Sequence, residues 1–135
     1  MVNNLDTIKT HCGTKFLSPV TETEISSIIK NMKNKKSAGI DEIPDYIVKK
    51  CCTHILAPLS FVVNLSLSTG CFPDELKLSK VKPLYKKGSV TEVGNYRPLS
   101  LLSVFSKIIE KVMHKRLISY LHKYNIIDNN QHGFM

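Results

Sequence analysis

The chain has 135 residues, enough for one domain with its own core, and its 42% hydrophobic content excludes a compositionally disordered protein. Its net charge of +8 is lopsided: residues 1–76 hold eight Lys and eight Asp or Glu, whereas residues 77–135 hold eleven Lys or Arg against Glu92, Glu110 and Asp128. Such a localised basic field suits a polyanionic partner, nucleic acid or an anionic membrane face, and equally a well-solvated cationic surface.

In chain order, residues 1–20 show no sustained period and read as a linker or disordered N-terminus. Thr21-Glu22-Thr23-Glu24 is a capping box, and Ile25, Ile28, Ile29 and Met32 follow at helical spacing. That helix fades into a lysine-rich stretch ending at Gly39, after which Asp41 is placed to cap a second short helix with Pro44 in its first turn. Pro58 is expected to open a third helix, with Leu59, Val62, Val63 and Leu67 on its apolar face and Gly70 at its end. The apolar run 55–67 is too short to cross a bilayer and contains Pro58, Ser60, Asn64 and Ser66, so a buried helix is expected and a membrane partner is not. "FPDELK" is a turn or a single helical turn. Residues 81–85 and 96–102 read as two short strands. Ser103 or Ser106 then caps a long helix reaching about Tyr124, with Val104, Phe105, Ile108, Ile109, Val112, Leu117 and Leu121 as its stripe and Lys107, Lys111, Lys115 and Lys123 largely opposite. The predicted class is α+β, mostly helical with one antiparallel hairpin.

Few residues carry a specific chemical signal. Cys12, Cys51, Cys52 and Cys71 form no disulfide framework and the chain start has no secretory pattern, which points to an intracellular, reducing location. With His11 and His54 they lack the paired spacing of a zinc site, and Cys51, Cys52 and Cys71 are expected as small buried apolar residues. Asp41 with Asp45, and Asp74 with Glu75, read as caps and helix-dipole partners rather than metal ligands.

The hairpin "YKKGSVTEVGNYRPLS" says more. Successive side chains of a strand point to opposite faces, so one of the neighbours Lys86 and Lys87 must share a face with Arg97 if both stay in the ladder. A guanidinium fork beside a mobile ammonium suits phosphate; an incidental pair of surface cations is the competing reading. Gly88 and Gly94 flank the connection and allow tight backbone there.

"KKSAGIDEIP", "LSLSTGCFPDELKLSKVKPLYKKG", "NYRPLSLLSVFSKIIEKVMHKRL" and "QHGF", in this order and at these separations, resemble LINE-type (non-LTR) retrotransposon reverse transcriptases, most of all the jockey-like group. The likeness covers roughly residues 21–135 and implies a partial reverse transcriptase domain, the fingers and the start of the palm of a right-hand polymerase. It implies that Arg97 contacts the triphosphate of the incoming deoxynucleotide and that Lys86 helps neutralise it. Lys87 matches the family pattern less well and is a candidate for template or surface contact. Lys35 and Lys36, beside the "SAGID" stretch, would contact the template backbone. The implied partners are an RNA template, a DNA primer, a deoxynucleoside triphosphate and the palm and thumb of the polymerase, acting in nucleus and cytoplasm.

One departure bears on catalysis. The family's metal-binding aspartates lie downstream of Q-H-G-F, and this sequence stops at Met135, a place where the family often has a basic residue. The resemblance therefore implies Mg²⁺ for the full-length enzyme, none bound by this stretch, and no polymerase activity from the stretch alone. The alternative reading is a non-catalytic nucleic-acid-binding remnant. A relic frame is a third, in which the long C-terminal helix exposes part of its apolar stripe.

Overall fold

The computed structural model describes residues 17–127. His11, Cys12, Asp128 and the motif at 131–134 lie outside them. The elements are α1 (Glu22–Lys30), α2 (Asp45–Lys50), α3 (Cys52–Thr69), a 3₁₀ turn (Asp74–Lys77), β1 (Ser79–Tyr85), a second 3₁₀ turn (Val93–Asn95), β2 (Tyr96–Leu102) and α4 (Val104–Lys123). The two strands pair antiparallel, and the α+β class holds.

The core is helical. Ile25 and Ile29 of α1 meet Leu59, Val63 and Leu67 of α3 and Val104, Ile108, Ile109 and Val112 of α4, with Val48 and Met32 at the margin. The spacing of Ile108, Ile109 and Val112 puts all three on one side of α4, and burying each such side chain contributes about 1.5–3 kcal/mol. The stripe expected to be partly bare is thus largely covered by α1 and α3. Leu117, 45% exposed, is its open residue.

The packed body begins ahead of residue 21. Val20 is buried, and Asn64 on α3 holds it in strand fashion, accepting its N–H at 2.7 Å and donating to its carbonyl at 3.0 Å. Arg116, itself buried on α4, donates to the Ser18 and Pro19 carbonyls and clamps the Glu24 carboxylate with two guanidinium nitrogens. That clamp, with Lys115 beside it, lowers the Glu24 carboxyl to about 2. It also leaves the capping box half made: Thr21 accepts the Glu24 N–H at 3.2 Å, but the carboxylate is turned to Arg116 instead of back to Thr21.

Two expectations about caps and breaks fail for identifiable reasons. Asp41 caps no helix; α2 starts at Asp45 after Pro44, and Asp41 is engaged elsewhere. Pro58 sits inside α3 instead of opening it. A proline there removes the hydrogen bond to the carbonyl four residues back. Because His54, Ala57 and Pro58 are all exposed, water can satisfy that carbonyl and the helix runs through. The outer side of α3 is also bare, with Phe61 68% and Leu65 51% exposed, so this helix is buried along one face only. By length and composition it would suffice to cross a membrane; here its Cys52, Leu59, Val63 and Leu67 face closes the core. Cys52 is buried as expected, but Cys51 and Cys71 are exposed.

Candidate functional site

The hairpin stands off the helices: six of the seven β1 residues are exposed. The register pairs Leu84 with Arg97 and Tyr85 with Tyr96, and β1 begins two residues before the expected strand. The Lys86 N–H, bonded to the Asn95 carbonyl at 2.8 Å, carries the ladder one step past Tyr85. Alternation then puts Lys80, Lys82, Leu84 and Lys86 on the same face as Arg97, Leu99 and Leu101. Arg97 lies on the diagonal from both Lys82 and Lys86, a spacing of about 7–8 Å in an antiparallel pair. Lys87 falls beyond the ladder. Of the two candidate lysines, Lys86 is the one that shares the arginine's face.

The opposite face is apolar and aromatic. Tyr85 and Tyr96 meet edge-on at 5.6 Å, next to the facing pair Pro83 and Pro98. Since Lys86 and Asn95 form a hydrogen-bonded position, Pro83 and Pro98 occupy a non-bonded one, where the missing N–H groups would have pointed outward. Each edge of the ribbon thus lacks a donor at the same height, which blunts pairing with another strand. The two tyrosine hydroxyls donate to the Gly88 carbonyl at 2.6 Å and the Val90 carbonyl at 2.8 Å. They tie the connecting loop to the aromatic face, while Asn95, opposite Lys86 on the cationic face, donates to the Ser89 carbonyl at 2.8 Å and to Glu92 Oε2 at 3.1 Å, so the loop and one carboxylate also border the tip of that face.

Of the two glycines, only Gly88 needs to be one. Its φ is 94°, and a Cβ there would meet the Asn95 side chain at 2.5–2.8 Å. Gly94 lies in the 3₁₀ turn with open space around it.

At the base of the ribbon, the loop after α1 approaches the β2–α4 junction. Gly39 is so close that a Cβ would lie 2.6 Å from the Ser103 nitrogen. Ser103 Oγ donates to Asp41 Oδ2 at 2.6 Å and accepts the Phe105 N–H at 3.2 Å, so one hydroxyl caps α4 and latches the loop. The same loop carries Lys35 and Lys36, both exposed. Lys35 lines a groove of about 380 Å³ against the cationic face of the hairpin, together with Lys82, Leu84, Leu99 and Lys107. Lys36 and Lys87 are not brought to that groove.

No protein-family model matches the chain. It is 31% identical over 119 residues, 87% of its length, to the "Probable RNA-directed DNA polymerase from transposon BS" of Drosophila melanogaster, of which it covers 13%. It has the same identity over the same length to the "RNA-directed DNA polymerase from mobile element jockey" of that fly, again covering 13%. The "Transposon TX1 uncharacterized 149 kDa protein" of Xenopus laevis is 29% identical over 104 residues, 77% of this chain and 8% of that protein. The chain is a homologue of one stretch of the jockey-like LINE-type reverse transcriptases, about 13% of the length of the curated relatives it matches first.

Mg²⁺, implied by the family likeness, finds no fitting set of carboxylates among the described residues. Asp41 is bonded to Ser103 and the Ile43 N–H, Asp45 to Lys107 at 3.2 Å, and Asp74 to Lys77 at 2.6 Å. Among the described residues no group of three or more His, Cys, Asp and Glu converges. Three further cations lie on this face or in its groove: Lys80 and Lys82 by the register, and Lys107 from α4. Lys80 and Lys82 were legible, since "KVKPLYK" places Lys80, Lys82 and Lys86 at even separations. Lys107 was not, because its fixing partner Asp45 is 62 residues away.

Proposed function

We propose that this segment is the fingers part of an RNA-directed DNA polymerase, residues 21–135 being a partial reverse transcriptase domain with the hairpin over the incoming nucleotide. Arg97 grips the triphosphate of the deoxynucleotide with its planar fork, and Lys86 on the same face supplies a second, movable positive charge. Lys35, Lys36 and Lys87 contact the phosphate backbone of the RNA template. A DNA primer is the second nucleic-acid partner, and the Mg²⁺ ligands, the rest of the palm and the thumb belong to other parts of the polymerase, acting in nucleus and cytoplasm. The observation that carries this reading is the register, Leu84 opposite Arg97 with the ladder continued to Lys86, which puts the two cations on one face.

The test is steady-state kinetics of a polymerase that contains the segment. Arg97→Ala removes a charge-assisted bidentate contact of about 1.5–3 kcal/mol, so the KM for deoxynucleotide rises roughly ten- to a hundredfold. Template affinity changes little. An unchanged nucleotide KM rules out the assignment of Arg97.

A further inference from the structure

The loop between the two strands carries a pattern that nucleotide binding does not use. Lys86 and Lys87 stand three and two positions before Ser89, and Val90 follows it directly. No acidic residue lies between Glu75 and Glu92, a stretch that holds five lysines. A serine/threonine kinase with carboxylates lining its peptide cleft selects this array, cations at fixed offsets ahead of the hydroxyl and an apolar residue after it.

The fold leaves this hydroxyl open. Residues 86–94 are all exposed, at the far end of a ribbon that stands off the helices. Ser89 Oγ shares a hydrogen bond with the Thr91 hydroxyl at 2.7 Å and accepts the Thr91 N–H at 3.4 Å, both at the surface. The Tyr85 and Tyr96 hydroxyls and the Asn95 amide tie the loop down through the Gly88, Val90 and Ser89 carbonyls, again through exposed bonds. Bonds of this kind open locally at little cost, so the loop can extend into an enzyme's cleft while the core stays packed. The fold withholds three other exposed serines that follow a cation. Ser119 lies inside α4, and Arg116, three positions before it, is buried against Glu24. Ser100, three after Arg97, is held in mid-ladder opposite Val81. Ser37 follows Lys35 and Lys36 directly but has Asn34 three positions before it, and Gly39 just beyond is packed on the Ser103 backbone.

We propose that Ser89 is a phosphorylation site for a basophilic serine/threonine protein kinase, and that its phosphate closes the cationic hairpin face to other anions. In the transfer, Ser89 Oγ bonds to the γ-phosphorus of ATP as the bond from that phosphorus to the β,γ-bridging oxygen breaks. ADP leaves, and the hydroxyl proton passes to the catalytic aspartate of the kinase. The product carries a charge of about −1.5 to −2 at neutral pH and three strong acceptor oxygens. Asn95 reaches the Ser89 carbonyl from the face that bears Lys86 and Arg97, so the new phosphate borders those cations. It pairs with the lysines and repels an incoming triphosphate, and Glu92, held by Asn95 at 3.1 Å, adds to the repulsion. Closure rests on the triphosphate reading above; the modification itself does not.

The experiment incubates the 135-residue chain with the catalytic subunit of the cyclic-AMP-dependent protein kinase and Mg-ATP, and locates the phosphate by peptide mass spectrometry. One phosphoryl group on Ser89 is expected. Ser89→Ala is expected to abolish uptake, Lys87→Gln to slow it at least tenfold, and Thr91→Ala to leave it within about twofold. Phosphate on another residue, a rate indifferent to Lys87→Gln, or no uptake overturns the site. A peptide of residues 82–95 that accepts phosphate while the chain does not would show that the folded loop withholds its hydroxyl, and overturns the site equally. A deoxynucleoside triphosphate is then titrated into the phosphorylated and unmodified chains. Binding at least tenfold weaker after phosphorylation supports closure, and equal binding overturns it. An unmodified chain that binds no triphosphate sinks the hairpin-face reading and closure with it, while the mass data decide the site alone.

Discussion

Ser103 donates its hydroxyl hydrogen to Asp41 at 2.6 Å, tying the residue that caps α4 to a loop 62 positions earlier. The contact works only because Gly39 has no side chain. A Cβ there would lie 2.6 Å from the Ser103 nitrogen and 2.8 Å from the Leu102 carbonyl carbon, backbone atoms that cannot swing aside. The "SAGID" stretch therefore fixes the loop bearing Lys35 against the root of the hairpin. Gly39→Ala is expected to lower stability by about 2–4 kcal/mol and Asp41→Ala by about 1–2 kcal/mol in urea unfolding. Unchanged midpoints in both would show that the latch holds nothing.

Acid should open the opposite side of the molecule. The Arg116 clamp lowers the Glu24 carboxyl from 4.5 to about 2, so the carboxylate contributes stability that is fully present above pH 4.5. That contribution, roughly 1–3 kcal/mol, is lost as pH falls from about 4.5 toward 2. Glu24→Gln is expected to be less stable at pH 7 and to lose less on acidification. Melting temperatures from pH 7 to pH 2 check it, and parallel curves for the two proteins would count against the clamp.

Pro58 is a weak point in α3. Alanine restores an N–H for the His54 carbonyl and removes the ring from the helix interior. The greater freedom of the unfolded alanine chain takes back part of the gain. Pro58→Ala should stabilise by roughly 1–2 kcal/mol in chemical denaturation; a loss of stability would mean that the ring makes a contact worth more than the bond.

The hairpin connection depends on Gly88. With φ at 94° and the Asn95 amide against it, Gly88→Ala strains the backbone and displaces a side chain that donates to the Ser89 carbonyl at 2.8 Å. Amide exchange of Lys86, at the end of the ladder, is expected to speed up at least tenfold, while exchange at the core residues Ile108 and Val112 stays as it was. Equal protection at Lys86 in both proteins would refute this.

Local signals carried much of this structure. Alternation and turn residues placed β2 at 96–102, and a serine before an apolar stripe placed the start of α4. What failed were readings whose outcome depends on distant partners. Asp41 and Glu24 are good local caps, but Ser103 and Arg116 outcompete the cap positions for their carboxylates. Pro58 marks a helix start by propensity, yet an exposed carbonyl made it tolerable mid-helix. At the candidate site, pleat parity left Lys86 and Lys87 open and the family likeness favoured Lys86; the register, carried one step past Tyr85, puts Lys86 on the face of Arg97. Lys107 entered the site through an ion pair with no local trace in the sequence.

The central claim is that the face shared by Lys86 and Arg97 holds a triphosphate. Its most direct test is a nuclear magnetic resonance titration of the 135-residue chain with a deoxynucleoside triphosphate, repeated for Arg97→Ala, Lys86→Ala and Lys87→Ala. Binding is expected to be at least tenfold weaker for Arg97→Ala, several-fold weaker for Lys86→Ala and less than twofold weaker for Lys87→Ala. Lys87→Ala weakening binding as much as Lys86→Ala, or Arg97→Ala leaving it unchanged, would contradict it.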